Sequence, residues 1–188
     1  MRTKGLRDAI RALARLPQDV NVHLDVAGQG EELSVCRDEA RELGVDNNVT
    51  FHGQVSRDRV EELYTQADAF LFPSFREPSG SVVFEALRHG LPVITTDLGG
   101  PGFVVDNSCG ITVPAIEPQQ LADDLANAIT RLARDPALRR TLEDGARKRI
   151  SHIGLWDKKI QWLTGLYAEL LENEHNPDFE EVIFHANT

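Results

Sequence analysis

Between residues 69 and 100 the chain reads AFLFPSFREPSGSVVFEALRHGLPVITTDLGG, and this stretch constrains the fold more than any other. The short apolar run at 69–73 follows a helical pattern, which predicts a buried parallel strand. A polar loop and a helix come next. Gly90 ends the helix and Pro92 cannot continue it. Residues 92–96 are rich in β-branched side chains and predict a second strand. The unit is therefore strand, helix, strand, and its first loop carries Arg76, Glu77, Ser79, Gly80 and Ser81. In the helix, Val83, Phe84 and Leu87 fall at core-facing spacing, while Ser81, Glu85 and Arg88 form a polar stripe. Glu85 is thus predicted to be exposed on the same side as Ser81. Glu77 lies in the loop outside the carboxyl end of the strand, where open parallel sheets bind ligands. The first-turn N–H groups at Gly80, Ser81 and Val82 point outward with the positive end of the helix dipole, a ready anion site. The same residues admit a plainer reading, with Ser79 as an N-cap and Glu85 as a solvated charge.

Composition narrows the classes. A chain of 188 residues supports one sizeable core. With 41% hydrophobic and 27% charged residues it reads as soluble and globular. A formal charge of −10 argues against nucleic acid or an anionic membrane as partner. No apolar run approaches membrane-spanning length and the N-terminus is polar, so neither signal peptide nor anchor is expected. Cys36 and Cys109 are isolated, which suits a reducing cytoplasm and no disulfide framework. The histidines are scattered and there is no Asp-x-Asp triplet, so no metal site is expected.

The remaining sequence continues the alternation. Helices are predicted at 5–16, 31–43, 57–66, 118–134, 136–150 and 155–172, and further strands at 20–27, 49–52 and 110–113. Ser56 reads as the N-cap of the 57–66 helix, and Pro118 and Pro136 sit at helix starts. Residues 99–109 read as a loop. Five strands alternating with helices predict an α/β fold, a parallel sheet with helices on both faces. One domain is expected over residues 1–173, followed by a polar tail, 174–188, whose Val182-Ile183-Phe184 has no assignment.

Glu77-x7-Glu85, then Ala86-Leu87, Gly90-Leu91-Pro92-Val93 and Gly99-Gly100, resembles the donor-site signature of the retaining glycosyltransferases of the GT-B fold, group 1 or family 4. Lys4-Gly5, Ala27-Gly28-Gln29-Gly30, Val49-Thr50-Phe51-His52-Gly53, Ala67-Asp68 and Pro73-Ser74 extend the likeness over nearly the whole chain. The resemblance implies a Rossmann-like, C-terminal donor-binding domain that transfers a hexose from a nucleoside-diphosphate sugar to an acceptor hydroxyl. It needs no cofactor beyond the donor itself. The acceptor, a glycan or lipid-linked sugar, would sit on an N-terminal domain outside this sequence.

The resemblance also assigns roles. Lys4 would neutralise the donor diphosphate. Glu77 would bind the sugar hydroxyls beside the anomeric carbon as the catalytic carboxylate. Backbone N–H groups of Gly80, Ser81 and Val82 would hold the phosphates, and Glu85 would accept from the ribose diol. The loop from Gly53 to Val55 would meet the base, or else be a plain turn. Gly99-Gly100-Pro101-Gly102 would line the sugar pocket or serve as a flexible connection. Pro78 departs from the family's Glu-Gly-Phe-Gly loop, removing an N–H donor. Trp156, Trp162, Leu163, Leu166 and Leu170 form a stripe expected to pack in the core. The family's first strand, central in its sheet, has no counterpart here. A break is therefore expected between the strands at 20–27 and 69–73, closed directly, by a partner segment, or by dimerisation through the open sheet. Two other readings share the fold: a non-catalytic nucleotide-binding or interaction module, and a nucleotide-sugar epimerase.

Overall fold

The structure, a computed structural model, describes residues 2–154 and 156–172. The chain divides into two compact units, residues 1–150 and residues 151–188. In the first unit a 3-10 turn (Arg2–Lys4) leads into α1 (Leu6–Leu13), followed by β1 (Leu24–Ala27) and α2 (Leu33–Glu42). Next come β2 (Val49–Gly53), α3 (Arg57–Gln66), β3 (Phe70–Phe72), α4 (Ser81–Arg88) and β4 (Val93–Thr96). The unit continues through α5 (Gly99–Val104), β5 (Gly110–Val113), α6 (Pro118–Arg134) and α7 (Pro136–Ile153), whose last residues enter the second unit.

All strand pairs are parallel, as crossover helices require. The five strands among the described residues nevertheless form two sheets, β1-β2 and β3-β4-β5. Leu24 pairs with Val49 and Ala27 with Gly53, while Phe70 pairs with Val93 and Val93 with Gly110. Among the described residues β1 and β3 share no pairing, so the break falls where the family resemblance places it. The strand predicted at 20–27 shrinks to Leu24–Ala27, because its partner begins only at Val49. Upstream backbone is tied otherwise: the Val20 N–H donates to Pro17 and the Asn48 amide donates to the Val22 carbonyl. β3 was expected to be buried but is half-buried throughout, as a strand with one unpaired edge should be.

Helices pack on these sheets through apolar clusters, two of which include residues of α1. Ile94, Val113, Leu121, Leu125, Ile129, Leu132 and Leu142 gather between β4, β5, α6 and α7, with Ala12 of α1 among them. Ile10, Cys36 and Ala40, with Leu6 and Phe51 against them, form the smaller cluster under β1-β2. α1 feeds both, with Ala12 on one side and Ile10 on the other. Two ion pairs, Arg7 and Arg11 on Glu39, fasten α1 to α2.

Residues 99–109 are not the expected loop, since their first part is α5. Three glycines in six residues give no helical propensity, so the conformation comes from packing. A Cβ on Gly100 would lie 2.6 Å from the Pro78 carbonyl oxygen, and one on Gly102 2.4 Å from the Asp97 carbonyl carbon. The Arg149 guanidinium, from α7, donates to the last carbonyls of α5 at Val104 (3.0 Å) and Phe103 (3.4 Å).

In the second unit, α8 (Trp156–Glu172) exposes Ile160, Trp162, Leu163, Tyr167 and Leu170. Of the stripe expected to lie in the core, Trp162, Leu163 and Leu170 are exposed and Leu166 is half-buried, while the Trp156 side chain lies outside the described ones. Periodicity defines a face but does not supply what covers it. Residues 174–188 lie outside the described residues. No helix among the described residues is long and apolar enough to cross a membrane.

Candidate functional site

The site lies at the carboxyl end of β3 and is built first from backbone. Beyond β3 the buried Ser74 hydroxyl donates to the Thr3 carbonyl (3.0 Å), and the Phe75 N–H donates to the same oxygen (3.1 Å). The Thr95 and Thr96 hydroxyls of β4 donate to Phe72 (2.8 Å) and Ser74 (2.6 Å) carbonyls. These bonds hold the N-terminal turn across the end of the strand. Gly5, at φ 72°, packs so closely that a Cβ would meet the Pro73 carbonyl oxygen at 2.1 Å. Only glycine fits there, and its approach delivers Lys4 to the loop after β3.

The Lys4 ammonium forms a salt bridge with one Glu77 carboxylate oxygen. The other accepts from the Gly80 N–H at 3.2 Å. The Lys4 ammonium and then the Gly80 N–H hold the Glu77 carboxyl below the usual carboxylate range, so it is ionised near neutral pH. The loop is gripped from α5: the Gly100 N–H donates to the Glu77 carbonyl (2.9 Å), and a Cβ on Gly99 would meet that carbonyl oxygen at 2.5 Å. The glycine-rich segment therefore acts as a clamp on the Glu77 loop, rather than a flexible connection, one of the two alternatives expected from sequence.

α4 begins with Gly80 as its N-cap in the left-handed conformation (φ 66°), so Ser79 is not the cap. The Glu77 carboxylate accepts from the N-cap residue's own N–H, not from the N2 or N3 N–H that a capping side chain ordinarily serves. The N–H groups of Ser81 and Val82 belong to the first turn and have no partner within the helix. Ser81 is exposed and Val82 half-buried. One turn on, Glu85 is 30% exposed and its carboxylate accepts from Arg57 at 3.1 Å.

Arg57 starts α3, two residues beyond Val55, so this contact draws the Gly53–Val55 segment toward α4. Gly53 sits at φ 69°, and its carbonyl accepts from Gly28 at 2.7 Å, tying the ends of β1 and β2. Arg57 also pairs with Glu61 (2.7 Å), which accepts from His89 (2.8 Å), and the His89 ring stacks on Tyr64. Burial, and then the Glu85 charge, push the Tyr64 phenol up to about 12. It stays protonated and donates to the Val82 carbonyl at 3.4 Å.

Every sequence-predicted site residue thus lies at the same end of the strands. Lys4, Glu77 and Gly80 are in direct contact, and Arg57 couples Glu85 to the segment after Gly53. Sequence reasoning missed Arg57, Thr95, Thr96 and Arg149, whose contacts with Glu85, Phe72, Ser74 and Val104 each span 22 or more residues. Only the small polar Thr95-Thr96 pair ending an apolar strand left a visible signal.

A cleft of about 460 Å³, lined by Leu13, Leu16, Val20, Val22 and Asn48 among others, opens at the amino end of β1. It holds no titratable side chain and lies away from this chemistry. Among the described residues no group of three or more His, Cys, Asp or Glu could hold a metal ion.

Comparison with known proteins gives the context. A profile described as "Glycosyl transferases group 1" matches residues 1–149. An uncharacterized glycosyltransferase of Methanocaldococcus jannaschii is 30% identical over 170 residues, 90% of this chain and 43% of that protein. Sucrose-phosphate synthase from Thermosynechococcus elongatus superposes with a TM-score of 0.73 at 31% identity, over 92% of this chain and 43% of the other. Anabaena HepE in complex with UDP-glucose superposes with a TM-score of 0.71 at 26% identity, over 80% and 42%. The chain spans less than half the length of each of these three proteins. With its α/β parallel architecture and the Glu77/Glu85 loop and helix at the carboxyl end of β3, the chain belongs to the group 1 glycosyltransferases, as the C-terminal half of a GT-B fold.

Proposed function

We propose that this chain is the donor-binding half of a retaining glycosyltransferase that takes a hexose from a nucleoside-diphosphate sugar. One observation carries the reading: Lys4, Glu77 and the Gly80 N–H meet at the start of α4, with Glu85 one turn along. In this reading the N–H groups of Gly80, Ser81 and Val82 and the Lys4 ammonium bind the diphosphate and stabilise charge on the leaving group. Glu85, oriented by Arg57, accepts from the two ribose hydroxyls, and the Gly53–Val55 segment receives the base. Glu77 is the catalytic carboxylate, hydrogen-bonded to sugar hydroxyls where positive charge develops at the anomeric carbon. The acceptor hydroxyl comes from a separate domain.

Calorimetric titration of the chain with UDP, GDP and ADP tests this. Binding of one of them, weakened roughly tenfold or more by Glu85→Ala, supports the assignment. Equal affinity in wild type and variant removes Glu85 from the ribose site.

A further inference from the structure

Lys4 and the Gly80 N–H are the groups the donor diphosphate needs, yet both are engaged by a carboxylate of the chain itself. A carboxylate oxygen and a phosphate oxygen ask for the same donors: a charge-assisted contact from an ammonium and a backbone N–H at a helix start. The Lys4 ammonium has one salt-bridge partner here and the Gly80 N–H has one acceptor, and both lie on Glu77. Glu77 is 15% exposed, and α5 clamps its backbone, so the fold fixes where the side chain starts and leaves its carboxylate free to move.

We propose that Glu77 is a resident anion in the phosphate cradle, and that an arriving diphosphate displaces it from Lys4 and the Gly80 N–H toward the sugar. The proposal rests on the donor-site reading above and adds a coupling to it. The diphosphate takes over the two contacts, and the displaced carboxylate swings out of the cradle to reach the sugar hydroxyls. Loading the phosphate end thereby arms the sugar end. An empty site keeps its catalytic carboxylate held, and a sugar lacking the diphosphate meets Glu77 already engaged. No covalent step is involved; one set of hydrogen bonds replaces another. The exchange makes anion binding weaker than the bare cradle would give, since Glu77's own contacts must be broken first.

The test uses inorganic pyrophosphate, which engages the cradle and neither the ribose nor the base site, titrated calorimetrically into the 188-residue chain. Glu77→Gln should tighten pyrophosphate binding roughly tenfold. Glu77→Asp separates displacement from simple charge repulsion. It keeps the charge but is one methylene too short to bridge Lys4 and Gly80, so it should also tighten binding. A bystander charge would leave it at the wild-type value. Lys4→Met should weaken binding and shrink the Glu77→Gln gain to a few-fold or less. The Gly80 amide proton, followed by NMR, should shift in Glu77→Gln without ligand and in wild type on adding pyrophosphate, with the dispersed spectrum confirming the fold.

Pyrophosphate affinity unchanged or lowered in both Glu77 variants overturns the proposal. UDP, GDP or ADP binding that is still lost in Glu85→Ala would then leave the donor-site reading standing. Failure of pyrophosphate and of all three nucleotides to bind any form overturns both.

Discussion

The two sheets of this molecule are built to different standards. In the three-stranded sheet, every residue of β4 is buried, and α6 and α7 contribute Leu125, Ile129 and Leu142 to its core. In the two-stranded sheet, β1 alternates half-buried and exposed residues. Its exposed side carries polar cross-strand pairs, His23 with Thr50 (2.8 Å) and His52 with Asp25 (2.7 Å). The buried cluster beneath it is Ile10, Cys36 and Ala40. The larger sheet thus acts as the scaffold. It carries the Glu77 loop and α4, while the smaller sheet brings the Gly53–Val55 segment and, through α3, Arg57. A site that spans both depends on how α1 joins them, because α1 is the element that enters both clusters.

The largest expected effect lies in the scaffold. Ile94→Ala should cost about 3–4 kcal/mol in a denaturant titration, whereas Val26→Ala, at a half-buried position of β1, should cost about 1 kcal/mol. Similar costs at the two positions would erase the distinction between the sheets.

Gly5→Ala comes next. It should cost about 3 kcal/mol, from the left-handed backbone and the contact with the Pro73 carbonyl. Because that contact places Lys4, pyrophosphate affinity should fall along with stability, while Gly44→Ala, with open space around it, should cost less and leave binding intact.

The third test concerns acid. Burial raises the Glu39 carboxyl, but hydrogen bonds from Arg7 and Arg11 outweigh it and leave the group below its ordinary value of 4.5. A carboxylate lowered in the folded state contributes stability that is fully present above its unfolded value and is lost as pH falls through the folded one. Stability of the wild type should therefore decline below about pH 4.5, and Glu39→Gln should show a shallower decline. Equal slopes would show that the α1–α2 ion pairs add nothing to the smaller half.

The smallest signal is the reactivity of the two buried thiols. Burial pushes the Cys109 thiol up to about 11 and also raises Cys36. Labelling therefore waits on local opening. Cys36, under the two-stranded sheet, should be labelled before Cys109, beside β5, in native buffer. The reverse order would place the weaker unit on the other side of the break.

Much of this was legible in sequence where the signal is local. The 57–66 helix, its Ser56 cap (accepting from Arg59 at 3.3 Å) and the strand at 110–113 follow from periodicity and capping chemistry. The position of the break followed instead from the family resemblance, whose central first strand has no counterpart among these residues. α5 was hidden, since glycines required by close backbone approach to Pro78, Ser79 and Asp97 look like a loop in one dimension. The partners of Lys4 and Glu85 were hidden for another reason. Lys4 meets Glu77 across 73 residues of sequence, and Arg57 meets Glu85 across 28. Side-chain pairings at such separations depend on which ends of which strands the topology brings together.

In the proposed function the carboxyl end of β3, with the start of α4, is a nucleoside-diphosphate site completed by the smaller sheet. Amide NMR of the chain titrated with UDP, GDP and ADP tests it most directly. One of the three should shift Lys4, Gly80, Ser81, Val82 and Glu85 together with Gly53 and Val55, in one saturating transition. Shifts confined to the cleft around Leu16 and Val22, or none with any of the three nucleotides, would contradict it.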